Sequence, residues 1–500
     1  MASVEQHVEQ EILETNGDVP QADVQAPVEA APSGEIPVEN PATGETVRTV
    51  PDLGPEAVAE MAARGRRVQP EWEAYGFDGR ARVLLRAQKW LMDNAQRVAE
   101  TIVSETGKTY EDANLAEIGY AGNAFGFWAK HGPEYLADES IKSSQVLVKG
   151  KKLILRYRPL GLIGVIGPWN YPLTNSFGDC IPALMAGNSV ILKPSEFTSL
   201  SALAMAEDLQ RLFPPGVVQV LTGLGAEVGD ALVRHPGIPR IAFIGSASTG
   251  RRIQASAAAS GVKTVTLELG GKNPIVVFPD ADLDLAVEGA IRGMNFTWQG
   301  QSCGSTSRLL VHRDCYDDFV ARVGERIAAM RPGSPLDPAS DTGAIVSKQQ
   351  LDKVLAYIEV GKGENARLVT GGVRLTEGAL AEGNFVSPAL FADVDPYGRL
   401  ATEEIFGPVL AAIPFGDYDE ALAIANSVEY GLTASVFTRD LRTALAFSRD
   451  VQAGYVWVNE TARHFLGAPF GGVKNSGVGR EEDLSEIESY TQLKSVNIRF

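Results

Sequence analysis

The chain has 500 residues and a mass of 53.4 kDa, enough for roughly three domains at about 150 residues each. Apolar residues make up 44 %, charged residues 22 %, and mean hydropathy is -0.05; no apolar run nears the roughly 20 residues of a membrane span, so a helical membrane protein is excluded. A net charge of -18 and the lack of an Arg-rich or apolar leader argue against nucleic-acid binding and against organelle or secretory targeting, so a cytoplasmic protein is expected.

Residues 1–35 hold eight acids, from Glu5 to Glu35, ahead of the first basic residue, Arg48. Such a segment buries too little apolar surface to offset its ordering entropy. A disordered acidic tail is expected, with a docking arm as the functional alternative. Between residues 56 and 133 apolar residues recur at three- and four-residue intervals, as in Val58, Met61 and Ala62, Ala81 to Met92, and Val98 to Ser104. That period predicts helices. Gln145 to Arg158 alternates instead (Val146, Val148, then Leu153, Leu155) around Lys149-Gly150-Lys151, which predicts a hairpin.

Short β-branched runs follow at Leu162 to Ile166, Ser189 to Leu192, Val217 to Leu221, Arg240 to Ile244 and Thr264 to Leu267. Helical patterns separate them, among them Leu200 to Leu212 and Thr249 to Ala259. Strands joined by helices of this length predict an α/β fold with a parallel sheet covered on both faces. A second α/β block runs from Pro274 to about residue 470, through the helix Leu283 to Met294.

Three segments carry candidate chemistry. Phe243-Ile244-Gly245-Ser246-Ala247-Ser248-Thr249-Gly250 ends a strand and starts a helix, so its free amides suit a pyrophosphate; a simple tight turn is the alternative. Lys193-Pro194-Ser195-Glu196 also follows a strand. Its carboxylate can accept from the ribose hydroxyls of NAD and would repel the extra phosphate of NADP, while a solvated helix cap is the plain alternative. Cys303, in Gln299-Gly300-Gln301-Ser302-Cys303-Gly304, is bracketed by small residues, and nearby amides are expected to favour its thiolate.

A lone cysteine is more often a small core residue. Cys303 gains weight from Glu268, placed between apolar residues where burial raises a carboxyl's pKa, and from Asn170, whose amide can donate to an oxyanion. Cys180 and Cys315 complete an odd count without a Cys-x-x-Cys, and the five histidines are scattered, so neither a disulfide framework nor a metal site is expected.

In combination these motifs resemble the NAD(P)-dependent aldehyde dehydrogenase superfamily. The likeness runs from Asn40-Pro41-Ala42-Thr43-Gly44-Glu45 through Pro168-Trp169-Asn170, Leu267-Glu268-Leu269-Gly270-Gly271, Glu403-Glu404-Ile405-Phe406-Gly407-Pro408 and Pro469-Phe470-Gly471-Gly472. It implies two parallel-sheet Rossmann-like domains and a small β oligomerisation element: residues 36–139 and 161–269 for NAD, 270–479 for catalysis, 140–160 and 480–500 for assembly into a homodimer or homotetramer. It implies Cys303 as nucleophile, Glu268 as the base that activates water, and Asn170 with the Cys303 amide as oxyanion hole. Trp169, Lys193, Glu196, Gly225, Gly245, Ser246, Glu404 and Phe406 would bind NAD, with NADP less favoured.

By the same resemblance the aldehyde tunnel is lined by Tyr171, Thr174, Asn175, Gly178, Thr297, Trp298, Ser302, Arg463, His464 and Phe465. Gly178 and Thr174 would leave a roomy mouth, and Asn175, Arg463 and His464 would make it polar. A polar, acid-bearing or substituted aromatic aldehyde is expected. Arg463 could grip a substrate carboxylate, or form a structural ion pair while His464 packs. A CoA-acylating enzyme is disfavoured by Glu268, an NADP reductase by Glu196, and a non-catalytic protein on the same fold by the presence of both Cys303 and Glu268.

Overall fold

The computed structural model describes residues 34–142 and 150–500. The acidic stretch 1–33 and five residues of the expected hairpin, Gln145 to Lys149, lie outside the described residues. Glu35, expected as the end of the tail, instead opens the strand Glu35–Glu39. That strand pairs antiparallel with Thr46–Pro51 because Ile36, Val38 and Val50 turn onto one buried face.

Helices Gly54–Ala74, Gly76–Asp93, Ala95–Thr106 and Tyr120–Tyr135 occupy the stretch with helical periodicity. Val58, Ala62, Leu84, Val98 and Ile102 form their buried stripes. The third helix stops where Gly107 takes a left-handed φ of 76°, which a residue without Cβ adopts freely. Between it and the fourth lies a π-helical turn, Ala113–Gly119.

The first large sheet has six strands in the order Gly477–Val478, Thr264–Glu268, Arg240–Ile244, Leu162–Ile166, Ser189–Lys193, Val218–Val220. The second has seven: Arg367–Thr370, Ala389–Ala392, Val409–Phe415, Arg308–His312, Pro274–Val277, Thr433–Phe437 and Tyr455–Val458. Both are Rossmann-like, built from parallel strands with helical crossovers such as Leu200–Leu209 and Ala247–Ser260. The first of these helices stops three residues short of its apolar pattern, ahead of Pro214-Pro215.

Neither sheet is purely parallel, as the sequence pattern had implied. Arg367–Thr370 is an antiparallel edge of the second sheet, and Gly477–Val478 is an antiparallel edge of the first. The latter works because Gly477 has no side chain: a Cβ there would strike the Leu267 carbonyl. A third, three-stranded sheet pairs Lys151–Pro159 along its whole length with Thr491–Arg499 and, more briefly, with Glu139–Ser140. Among the described residues no helix is long and apolar enough to cross a membrane.

Glu105, at the end of helix Ala95–Thr106, is buried and accepts from the Leu200 and Ser201 amides at 2.6 and 3.1 Å, capping the next crossover helix. Burial pushes its carboxyl from 4.5 up to about 8, against those opposing hydrogen bonds. The folded chain therefore holds a proton that the unfolded chain has already released. Its contribution to stability is full below pH 4.5 and is lost as pH rises through 8. Melting curves across that window should fall with pH in the native protein and fall less steeply in Glu105→Gln; equal slopes would remove Glu105 as the cause.

Candidate active site

In an open parallel sheet, ligands gather outside the carboxyl ends of the strands, where helix N-termini also point. Here Pro168-Trp169-Asn170 follow Leu162–Ile166, Lys193 ends Ser189–Lys193, Gly245-Ser246 follow Arg240–Ile244, and Glu268 ends Thr264–Glu268. All of them line one cavity of about 980 Å³. The second block contributes Cys303, Glu404 and Phe406 to the same cavity, and Gly225 lines it too. Every residue that the sequence assigned to catalysis or to the dinucleotide thus borders a single space.

The residues fit a dinucleotide. Ser246 caps the 14-residue helix Ala247–Ser260, accepting from the Thr249 amide at 3.3 Å, so the first-turn amides remain for an anion. Lys193 Nζ lies 2.9 Å from Glu196 Oε2, and a Cβ on Gly225 would come 3.8 Å from that ammonium. Glu404 Oε1 accepts from the Gly271 amide at 2.8 Å, and Gly270 leaves no room for a Cβ beside it. Trp169 stands edge-on to Phe406 at 5.2 Å and to Trp298 at 6.4 Å, which gives the cavity an aromatic wall.

Cys303 sits on a loop bent by left-handed Asn295, Gln299 and Gly300. Asn273 holds that loop, donating from Nδ2 to the Cys303 and Ser305 carbonyls at 2.7 and 3.0 Å. The expectation that nearby amides favour a thiolate is overturned. Desolvation, then the charges of Glu404 and Glu268, push the thiol up to about 12, outweighing the Gly304 and Cys303 amides. Glu268 is buried, and neither carboxylate oxygen has a hydrogen-bond partner. Burial raises its pKa well above the carboxylate range; Arg480 opposes this, while Asp179, Glu482 and Glu486 reinforce it. Asn170 is buried and donates from Nδ2 to the Gln301 carbonyl at 3.1 Å, which leaves one amide hydrogen for another acceptor.

A family model described as the aldehyde dehydrogenase family matches residues 28–496. The chain belongs to the aldehyde dehydrogenase family. It is 41 % identical over 474 residues to a betaine aldehyde dehydrogenase of Cereibacter sphaeroides, covering 94 % of this chain and 95 % of that one. It is 40 % identical over 463 residues to the aldehyde dehydrogenase tropH of Talaromyces stipitatus, covering 92 % and 89 %. An indole-3-acetaldehyde dehydrogenase of P. syringae, solved as a mutant with NAD+ and IAA, superposes with a TM-score of 0.90 at 34 % identity over 99 % of each chain. The enzyme is accordingly an NAD-dependent aldehyde dehydrogenase.

The residues assigned to the aldehyde tunnel do not border the large cavity. Tyr171 is hydrogen-bonded to Ser302, next to Cys303. Thr174 and Asn175 belong to the short helix Thr174–Phe177, and Gly178 follows it. A Cβ on Gly178 would strike the Thr174 carbonyl, so backbone approach accounts for that glycine rather than an open mouth. Arg463 is largely exposed, with its Nε 3.4 Å from Glu460 Oε1. His464 packs on Phe470 at 4.3 Å and stacks on Tyr455, with Nδ1 3.7 Å from Glu482.

Sequence reasoning missed a buried ion cluster behind Tyr171: Lys108, Asp112 and Glu117. Lys108 and Asp112 are four apart in a helical stretch, a spacing that ordinarily marks a solvated pair, so no sequence signal set them apart. For Cys303, alkylation by iodoacetamide in the absence of cofactor should be slow at neutral pH and should keep accelerating into the alkaline range. Glu404→Gln removes one of the charges that raise the thiol, so it should label faster at any given pH. A labelling rate already at its plateau near neutrality would contradict the protonated resting thiol.

Proposed function

We propose that the enzyme oxidises uncharged, ring-bearing aldehydes with polar substituents to carboxylic acids by the hydrolytic route, using NAD. The convergence of Cys303, Glu268, Asn170 and the dinucleotide turn on one cavity carries the catalytic part of this reading. Residues 36–139 and 161–269 serve the cofactor and 270–479 the nucleophile.

The roles follow from the local chemistry. Cys303 Sγ bonds to the aldehyde carbon, its proton passes to solvent water, and the C=O π electrons move onto the carbonyl oxygen, which takes up the charge. The free hydrogen of Asn170 Nδ2 and the Cys303 amide stabilise that oxygen. Trp169, Lys193, Glu196, Gly225, Gly245, Ser246, Glu404 and Phe406 would hold NAD, which when bound supplies the acceptor for the hydride. The resulting thioester needs water. Glu268, once ionised, offers two buried and unpartnered oxygens to take a proton from that water as it attacks; the C–S bond then breaks and the proton passes on to the sulfur to return the thiol. An acceptor glutamate in this state favours hydrolysis over transfer to CoA.

Several features support the substrate class. Tyr171, which is partly exposed, and His464, which is exposed, carry rings, and Ser302 beside Cys303 carries a hydroxyl. Arg463 is already engaged by Glu460, which weakens the acid-bearing alternative. A cationic aldehyde is the second reading, favoured by Glu482 beside His464 and by the betaine aldehyde dehydrogenases among the relatives. The three free thiols accord with a cytoplasmic protein. Leu493, 63 % exposed on the strand Thr491–Arg499, supports assembly as a homodimer or homotetramer through the three-stranded sheet.

NADH formation with a substituted benzaldehyde, betaine aldehyde, an ω-carboxylated semialdehyde and acetaldehyde tests the reading. The benzaldehyde should have the highest kcat/KM, and a preference for the semialdehyde would overturn the class. Cys303→Ala should lower turnover by roughly 10³-fold or more. Glu268→Gln should keep a first burst of NADH while steady-state turnover falls on the order of 10²- to 10⁴-fold. Loss of the burst together with turnover would remove Glu268 from the hydrolytic step.

A further inference from the structure

Lys108 is fully buried, yet its ammonium is crowded with partners. Nζ donates to Glu117 Oε1 at 2.9 Å and lies 3.0 Å from Asp112 Oδ2. The same nitrogen stands 3.9 Å from the centre of the Tyr171 ring and 4.9 Å from that of Trp298. At those distances a desolvated ammonium attracts both ring faces, each contact worth on the order of a twofold to thirtyfold change in an equilibrium.

The carboxylates extend the clamp. The second oxygen of Glu117 accepts from the Leu173 and Thr174 amides at 3.0 and 2.8 Å. Thr174 Oγ1 donates to the Ala116 carbonyl at 2.6 Å, tying the same turn to the π-helical segment Ala113–Gly119. Asp112 Oδ1 accepts from Thr297 Oγ1 at 3.3 Å, and the Thr109 amide donates to the Thr297 carbonyl at 3.3 Å. Residues 171 and 174 come from one stretch of chain and 297 from another, yet one ammonium and its two carboxylates hold all three. Tyr171 then reaches Ser302, the neighbour of Cys303.

We propose that Lys108 is a positioning residue for the aldehyde: clamped by Glu117 and Asp112, it holds Tyr171, Trp298, Thr174 and Thr297 as one rigid wall beside Cys303. Lys108 does not touch the reacting atoms. It acts through Tyr171, and the inference rests on the reading above that the aldehyde lies against that ring. A ring-bearing substrate uses the whole wall, whereas acetaldehyde uses only the part next to the thiol. Lys108 is also absent from the lining of the dinucleotide cavity, so its loss should spare the cofactor.

Lys108→Met, Glu117→Gln and Tyr171→Ala test this on the full-length enzyme, each assayed below its own melting temperature. Lys108→Met should lower kcat/KM for a substituted benzaldehyde by about 10²-fold, with a raised KM, because misplacement by an ångström costs that much. The loss with acetaldehyde should be much smaller, so the ratio between the two substrates falls, and NAD binding followed by fluorescence should be unchanged. Glu117→Gln keeps an acceptor for the Leu173 and Thr174 amides but weakens the hold on Lys108. It should shift the ratio in the same direction by less, and it decides the matter if Lys108→Met does not fold. Equal losses for both aldehydes and for NAD binding would mean a merely structural role and overturn the proposal. An unchanged ratio in Lys108→Met and Glu117→Gln, with a shifted one in Tyr171→Ala, would overturn it while leaving the aldehyde's placement intact. An unchanged ratio in all three would overturn both.

Discussion

The pairing of Gly477 with Glu268 decides where the presumptive base stands and in what state it waits. Thr264–Glu268 would otherwise be an edge strand, with its last residue facing solvent. The short returning strand covers it, and the preceding loop brings Gly471 so close that a Cβ there would lie 2.7 Å from Glu268 Oε1. Both contacts require glycine. The result is a carboxyl without protein hydrogen bonds at the carboxyl end of a parallel sheet, next to a cavity large enough for a dinucleotide. The first sheet is complete only when residues from the far end of the chain have folded onto it.

That burial sets the electrostatic state of the whole site. Cys303 is raised by desolvation and by the acids Glu404 and Glu268, and Glu268 is raised by desolvation and by Asp179, Glu482 and Glu486. Each acid makes its neighbours harder to ionise. Arg480 beside Glu268, and Arg240 beside Asp179 and Glu486, oppose the trend without reversing it. A resting site of this kind holds its protons. A neutral thiol and a neutral carboxyl cost less in a dry cavity than two anions a few ångströms apart. Ionisation is thereby deferred to the moment when substrate and cofactor alter the surroundings, and reactive thiolate is not left exposed between turnovers.

The dinucleotide half of the site was legible in the chain because backbone geometry specifies it. A strand that stops, a small-residue turn and a helix that starts leave a pattern in consecutive residues, and Gly245-Ser246 before Ala247–Ser260 is such a pattern. Core strands such as Arg240–Ile244 were equally plain, since a fully buried strand is a short apolar run. The edge strand Gly477–Val478 left no such mark, being two residues long and defined only by its partner. Thiol ionisation was misread for a related reason: amides that favour the anion are local, whereas the acids that oppose it arrive from residues 268 and 404.

The aldehyde side depends on contacts of that second kind throughout. Arg463 could be read from the sequence either as a carboxylate grip or as one half of an ion pair, and its neighbour in the fold is Glu460, three residues earlier. Lys108, Asp112 and Glu117 lie in the stretch whose apolar period predicts helices, and only the fold turns them inward beside Tyr171 and Trp298. A buried cation between two carboxylates gives little net stability, because desolvating three charges offsets most of their attraction. What such a cluster does supply is direction, since Lys108 meets Glu117, Asp112 and both rings in one arrangement only. A strand end and a helix N-terminus that offer backbone amides to a dinucleotide are features that many members of this fold present. Rings and hydroxyls that must face a particular aldehyde need side-chain anchors, and here the anchors at 108, 112 and 117 meet residues 171–174 and 297–298 only in the folded chain.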